Sequence, residues 1–309
     1  MVKQPALGRP SIRRRIRRSI PYYVLILLPL IYLLVFKYYP MLGVQIAFKK
    51  YKVKAGIWGS EWIGMKYFSD FFSSPLSGRI ILNTFLLSLY YLIASFPFPI
   101  ILAICLNECR SSRFRKTTQM ITYMPYFIST VVLVSMILQF TDISSGLVNQ
   151  IIKALGGNPV NFMGTVSYFR SIYVWTGVWQ TMGYSAIVYL AALTGVPTEL
   201  YEAAKVDGAS KLRRIISIDI PCIAPTIITL FILNTGSILS IGFEKIYLMQ
   251  SNVNLSVSEV ISTHVYKMGV LNFNYSYSTA VGLFNSVVNM IMLVTVNAIS
   301  NRISDVSVI

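Results

Sequence analysis

"YEAAKVDGASKLRRIISIDIP", residues 201–221, lies between two long apolar runs. It carries Glu202, Lys205, Asp207, Lys211, Arg213, Arg214 and Asp219 in a chain of which only 12% is charged. The pattern reads as a short helix, a glycine turn and a second helix. Thr198, after Pro197, caps the first helix, and Glu199 and Glu202 fall in its first turn, where the helix dipole favours anions. Gly208 suits a left-handed C-terminal cap. Ser210 caps a second helix over 211–220, and Pro221 separates that helix from the next apolar run. Ala203, Ala204, Gly208 and Ala209 make a small-residue patch that another surface can approach closely, flanked by Glu202 and Asp207. A polar hairpin of this kind between two greasy runs reads as a docking element.

The rest of the chain explains the greasy flanks. Of 309 residues, 55% are hydrophobic, and the mean hydropathy is +0.62. Soluble domains carry about 25% charged residues, so this composition describes a membrane protein. Six runs reach the roughly 20 apolar residues that a spanning helix needs: 21–41, 79–106, 118–141, 169–194, 222–243 and 279–301. They lack the two-residue alternation of a barrel strand. The expected fold is an all-α integral membrane protein with six transmembrane helices.

Even-numbered spans place both termini on one side. Sixteen of the 27 Lys and Arg residues fall in the arm, the loops after spans two and four, and the tail, against at most eleven opposite. The positive-inside tendency makes that side cytoplasmic. The expected organisation is a basic cytoplasmic arm over 1–20, able to lie on anionic lipid, a six-span domain over 21–301 containing the hairpin 198–221, and a cytoplasmic tail over 302–309. The net charge of +16 is accounted for by this loop bias, and no nucleic-acid partner is expected.

The hairpin resembles the EAA loop of binding-protein-dependent ABC importer permeases: Glu-Ala-Ala, three residues, Gly, nine residues, then Ile-x-Leu-Pro. Here the match is Glu202-Ala203-Ala204, Gly208, then Ile218-Asp219-Ile220-Pro221, with Ile220 in the place of Leu. The opening "YYVLILLPLIYLLVFKYYPMLGVQIAFKKYK" and the later "WIGMKYF" are similar to the sugar-importer permeases, in particular the LplB-like, maltose-type carbohydrate branch. The resemblance implies a type I ABC importer permease fold in the bacterial cell membrane, importing an oligosaccharide or polysaccharide by alternating access. It implies that Glu202, Ala203, Ala204, Asp207 and Gly208 dock on a separate ATPase subunit. It implies as partners two ATP-binding subunits, a second homologous permease subunit in a heterodimer, and an extracytoplasmic solute-binding protein.

The chain has no G-x-x-x-x-G-K-S/T phosphate loop. It is therefore expected to be a transport subunit rather than an enzyme, with no bound cofactor, and to leave ATP and Mg to its partners. Polar groups within spans are candidates for the solute path: Trp179, Gln180 and Tyr184 in span four, Asn234 and Ser237 in span five, and Asn285 and Asn289 in span six. The same groups can instead bond helix to helix. His264 reads as a surface residue, and Cys105, Cys109 and Cys222 as small buried hydrophobes with neither a disulfide nor a metal pattern. A non-sugar solute within the same family, and an ion-coupled secondary transporter, stand as alternatives. Against the second, Glu108, Asp142 and Glu244 fall at span ends.

Overall fold

The computed structural model describes residues 12–304 apart from Ser237 and Ser240. Most of the basic arm, the end of the tail and the candidate Ser237 thus lie outside the described residues. Four helices are long and apolar enough to cross a membrane: α1 (Ser19–Phe48), α2 (Ser77–Asn107), α7 (Lys211–Gly236) and α9 (Tyr275–Arg302). A bent pair, α3 (Ser112–Phe127) and α4 (Thr130–Phe140), makes a fifth if counted as one span.

The central helix α5 (Val166–Thr194) has 29 residues. It is long enough to cross but less apolar, carrying Arg170, Thr176, Gln180 and Thr181. Its position explains this. Phe169, Val174, Val178, Ala186 and Leu193 of α5 are all buried, so protein rather than lipid surrounds much of its length. Ala186 and Ala103 of α2 are both fully buried in one cluster with Tyr189 and Ile223. Small residues of this kind allow membrane helices to pack closely.

The run 118–141, read as one helix, is broken by 98° between α3 and α4. Pro125 lacks the N–H that would continue α3, and Ser129 caps α4 by accepting from the Val132 N–H at 3.4 Å. The expected fifth span is shifted. α7 begins at Lys211 and passes through Pro221 unbroken, then ends at Gly236, short of residue 243. Pro221 is tolerated because the preceding turn is widened: the Ile220 N–H bonds five residues back to Ile215. After α7, the short helix α8 (Phe243–Met249) packs back into the bundle.

α1 stands apart, with none of its most apolar window buried inside the chain. Only its Leu42–Phe48 end packs on α9. A two-stranded antiparallel hairpin follows, pairing Lys49 with Trp62 and Lys50 with Glu61. Lys49 is buried, donates to the Ile57 carbonyl at 2.9 Å and lies near the Trp58 and Trp62 rings. Cys105 and Cys222 also depart from expectation: both are exposed, and all three cysteines are free.

Candidate functional site

The hairpin begins with α6 (Thr198–Val206), whose N-cap is Pro197 without a side-chain bond. Thr198 is therefore the first helical residue rather than the cap. The C-terminal end matches the sequence reading more closely. Gly208 has φ +71°, the left-handed conformation that costs glycine nothing. The Ala209 N–H bonds to the Ala204 carbonyl at 2.8 Å and the Gly208 N–H to that of Lys205 at 3.2 Å. This pair of bonds is a Schellman motif. Ser210 then caps the second helix through the Arg213 N–H at 3.3 Å.

Glu202, Ala203, Asp207 and Gly208 are exposed and Ala204 is half-buried. Val206 is 89% exposed, so the tip presents apolar surface next to two carboxylates. The base of the hairpin is fastened at two points. The Tyr201 hydroxyl donates to Oδ1 of Asp219, a residue with no exposed surface. Burial, reinforced by the Asp219 carboxylate, pushes the Tyr201 hydroxyl well above its ordinary pKa. Arg214 lies 3.6 Å from Glu108 at the end of α2. A rigid turn on an anchored base can transmit a push to α2, α5 and α7 together.

A scan against family models matches residues 95–305 to the binding-protein-dependent transport system inner membrane component. The chain belongs to this family. The permease is 43% identical to the protein LplB of Bacillus subtilis over 91% of this chain and 88% of that one. It is 41% identical to the polygalacturonan/rhamnogalacturonan transport system permease protein YteP of the same organism, over 92% and 88% respectively. Among solved structures it is similar to the crystal structure of a bacterial ABC transporter involved in the import of the acidic polysaccharide alginate. There the identity is 37% and the TM-score 0.88, covering 96% of this chain and all of that one. A second structure of the bacterial alginate transporter, with an alginate pentasaccharide-bound periplasmic protein, gives 37% and 0.89. The permease is thus an inner-membrane transport component with a type I ABC permease fold.

The expected solute-path residues divide into separate groups. Gln180 and Asn234 line one cavity of about 400 Å³ bounded by α2, α4, α5, α7, Ile238 and residues 241–245. Gln180 also donates to the Ile128 carbonyl at 3.0 Å, satisfying a backbone group freed by the α3–α4 bend. Tyr184 stacks on Tyr126 with ring centroids 3.9 Å apart, and Trp179 is exposed. Neither Trp179, Tyr184, Asn285 nor Asn289 lines the cavity. Asn289 accepts from the Leu239 N–H at 2.9 Å, holding the chain where α7 has ended. Asn285 buries an amide oxygen that has no hydrogen-bond partner among the described residues.

Sequence reasoning missed Lys245, which it counted only as one more outer-loop charge. Lys245 is buried in the cavity wall, and burial pushes its ammonium down to about 7. It also placed His264 on the surface, whereas His264 is only 4% exposed. Its Nε2 is 3.2 Å from the Tyr277 hydroxyl and its Nδ1 3.6 Å from Glu259. Tight packing by Phe71 and Tyr277 excludes water from the ring. Lys267 joins the cluster, 3.2 Å from Glu259.

Proposed function

We propose that the chain is the permease subunit of an ATP-driven carbohydrate importer. It would form half of a six-plus-six-span pathway with a second, homologous permease, with both termini in the cytoplasm. The observation that carries this reading is the Schellman-closed patch of exposed Glu202, Ala203, Asp207 and Gly208 with half-buried Ala204. A water-facing loop has no need of such a patch, whereas a motor that must grip and move the bundle does. Two ATP-binding subunits dock there and use ATP and Mg, and an external binding protein delivers the solute. The carbohydrate assignment draws on the polygalacturonan/rhamnogalacturonan and alginate systems to which the chain is similar. Helix α5, with α2, the α3–α4 pair, α7, α9 and α1, supplies the six spans. Gln180 and Asn234 meet the solute in the cavity.

The test is reconstitution in liposomes with the cognate permease, ATPase and binding protein. ATP-dependent saccharide uptake is expected, together with a cross-link between the Ala203→Cys variant and the ATPase subunit. Uptake that survives ATP depletion but collapses with the ion gradient, or a hairpin that never meets the ATPase, refutes the reading.

A further inference from the structure

Lys245 is out of place for a residue whose only task is packing. Its ammonium donates to the Tyr173 carbonyl at 2.9 Å and lies 4.8 Å from the centre of the Tyr173 ring. An ammonium has three donors, and among the described residues no carboxylate forms an ion pair with it. Buried charges are ordinarily paired or neutralised. The missing partner is an anion.

The surroundings are built to receive one. Lys245 borders the 400 Å³ cavity beside Ser88, Tyr91 and Gln180. That volume falls in the usual range of ligand pockets, about 300–1,000 Å³. Ser88 is 5% exposed, and its hydroxyl has no hydrogen-bond partner among the described residues. Gly177 notches the cavity floor: a Cβ there would stand 2.7 Å from the Tyr91 ring and 3.3 Å from the Lys245 nitrogen. Any larger residue would therefore push the ring and the cation apart. Glu244 also lines the cavity but forms no ion pair with Lys245. Around the cation, a hydroxyl, an amide and an aromatic face converge on one space, matching the carboxylate, hydroxyls and apolar ring face of a uronic acid.

We propose that this cavity is a solute subsite in which Lys245 pairs with the carboxylate of an acidic saccharide while Ser88 and Gln180 bond its hydroxyls. The assignment rests on the carbohydrate-importer reading above and adds to it the charge of the solute. A carboxylate arriving beside Lys245 favours the charged ammonium, so pairing supplies the counter-charge that the protein withholds. The bond to Tyr173 then orients the amine rather than occupying it.

The experiment uses the reconstituted importer with two probes: galacturonate oligosaccharides of two to five units, and the same oligosaccharides with their carboxyls reduced to alcohols. Uptake of each is normalised to occupancy of the binding protein. The readout is the ratio of charged to reduced uptake, which does not depend on how much complex assembles. Lys245→Gln keeps a donor for the Tyr173 carbonyl but loses the charge, and should lower the ratio by at least about tenfold. Lys245→Arg should hold the ratio within about threefold of wild type. An unchanged ratio in Lys245→Gln, including equal loss of both uptakes, overturns the proposal and leaves Lys245 a packing residue. A wild type that imports only reduced saccharides overturns the acidic assignment alone. A wild type that imports neither probe under ATP likewise overturns the acidic assignment, and one that imports no saccharide at all under ATP removes the carbohydrate reading as well.

Discussion

The Tyr201 hydroxyl donates to the buried carboxylate of Asp219, tying the first hairpin helix to the widened turn from which α7 rises. The other oxygen of Asp219 has no hydrogen-bond partner among the described residues. Tyr201→Phe therefore removes the only hydrogen bond to this carboxylate among the described residues. Leaving a buried polar group unsatisfied costs about 1–3 kcal/mol, more when it is charged. The variant should melt earlier and, because its hairpin is loosened, transport less solute per ATP hydrolysed. Wild-type melting and coupling together would show that the bond does not fasten the hairpin.

A second prediction concerns Gly208 itself. Its φ of +71° costs a residue with a Cβ about 1–2 kcal/mol, although no neighbouring atom would touch that Cβ. The penalty is conformational, so it should follow backbone preference rather than side-chain size. Gly208→Val should lose most transport, while Gly208→Asn, which tolerates the left-handed region, should retain most of it. Measuring uptake and ATP turnover for both separates a strained turn from a crowded interface. Equal loss in the two variants would point to crowding by the docked partner.

Helix packing yields a third. A Cβ on Gly183 would clash with the Thr122 carbonyl oxygen, a backbone atom that cannot swing away. Gly183→Ala should force α3 off α5 and cost about 1–3 kcal/mol, as overpacking does. Thermal unfolding of the purified chain with its partners checks this. An unchanged melting temperature would mean that the two helices are not held in this close contact.

These particulars show which features were legible in the sequence. The Gly208 turn and the Ser210 cap were readable because local backbone chemistry fixes them. The α3–α4 bend was not. Pro125 alone is compatible with a kinked or a straight membrane helix, and the bend is secured by Gln180, 52 residues away. The continuity of α7 through Pro221 was hidden for a related reason: a proline marks a missing N–H, but not that the preceding turn will widen to absorb it. Lys245 and His264 were misjudged because burial is a tertiary property. In the sequence both sit in polar-looking connections between spans.

The cluster at the other end of the bundle gives a pH prediction. Burial alone would raise the Glu259 carboxyl, but bonding to His264 and the charge of Lys267 outweigh it and hold the carboxyl below its ordinary value. A folded-state pKa depressed in this way contributes stability that is fully present above the unfolded value and is lost as pH falls through the folded one. Wild-type melting should therefore hold steady from neutral pH down to the ordinary glutamate range and fall below it. Glu259→Gln should melt earlier at neutral pH and lose that part of the acid dependence. Parallel acid profiles for the two proteins would show that Glu259 is not the titrating group.

Asn285 and Asn289, one helical turn apart on α9, separate structure from transport. Asn289 accepts the Leu239 N–H at 2.9 Å, just beyond the end of α7 and beside the cavity wall at Ile238. Asn289→Ala strands that N–H and should destabilise the protein by about 1–3 kcal/mol, whereas Asn289→Asp keeps an acceptor and should be milder. The amide oxygen of Asn285 has no hydrogen-bond partner among the described residues, a cost that the fold gains nothing by carrying. Asn285→Ala should therefore leave the melting temperature unchanged or slightly raised while uptake falls, because the waiting oxygen would otherwise accept a solute hydroxyl. Uptake and melting measured on the same preparations distinguish the two roles. If Asn285→Ala transports at the wild-type rate, that oxygen meets no solute, and the path runs wholly on the Gln180 and Asn234 side of the bundle.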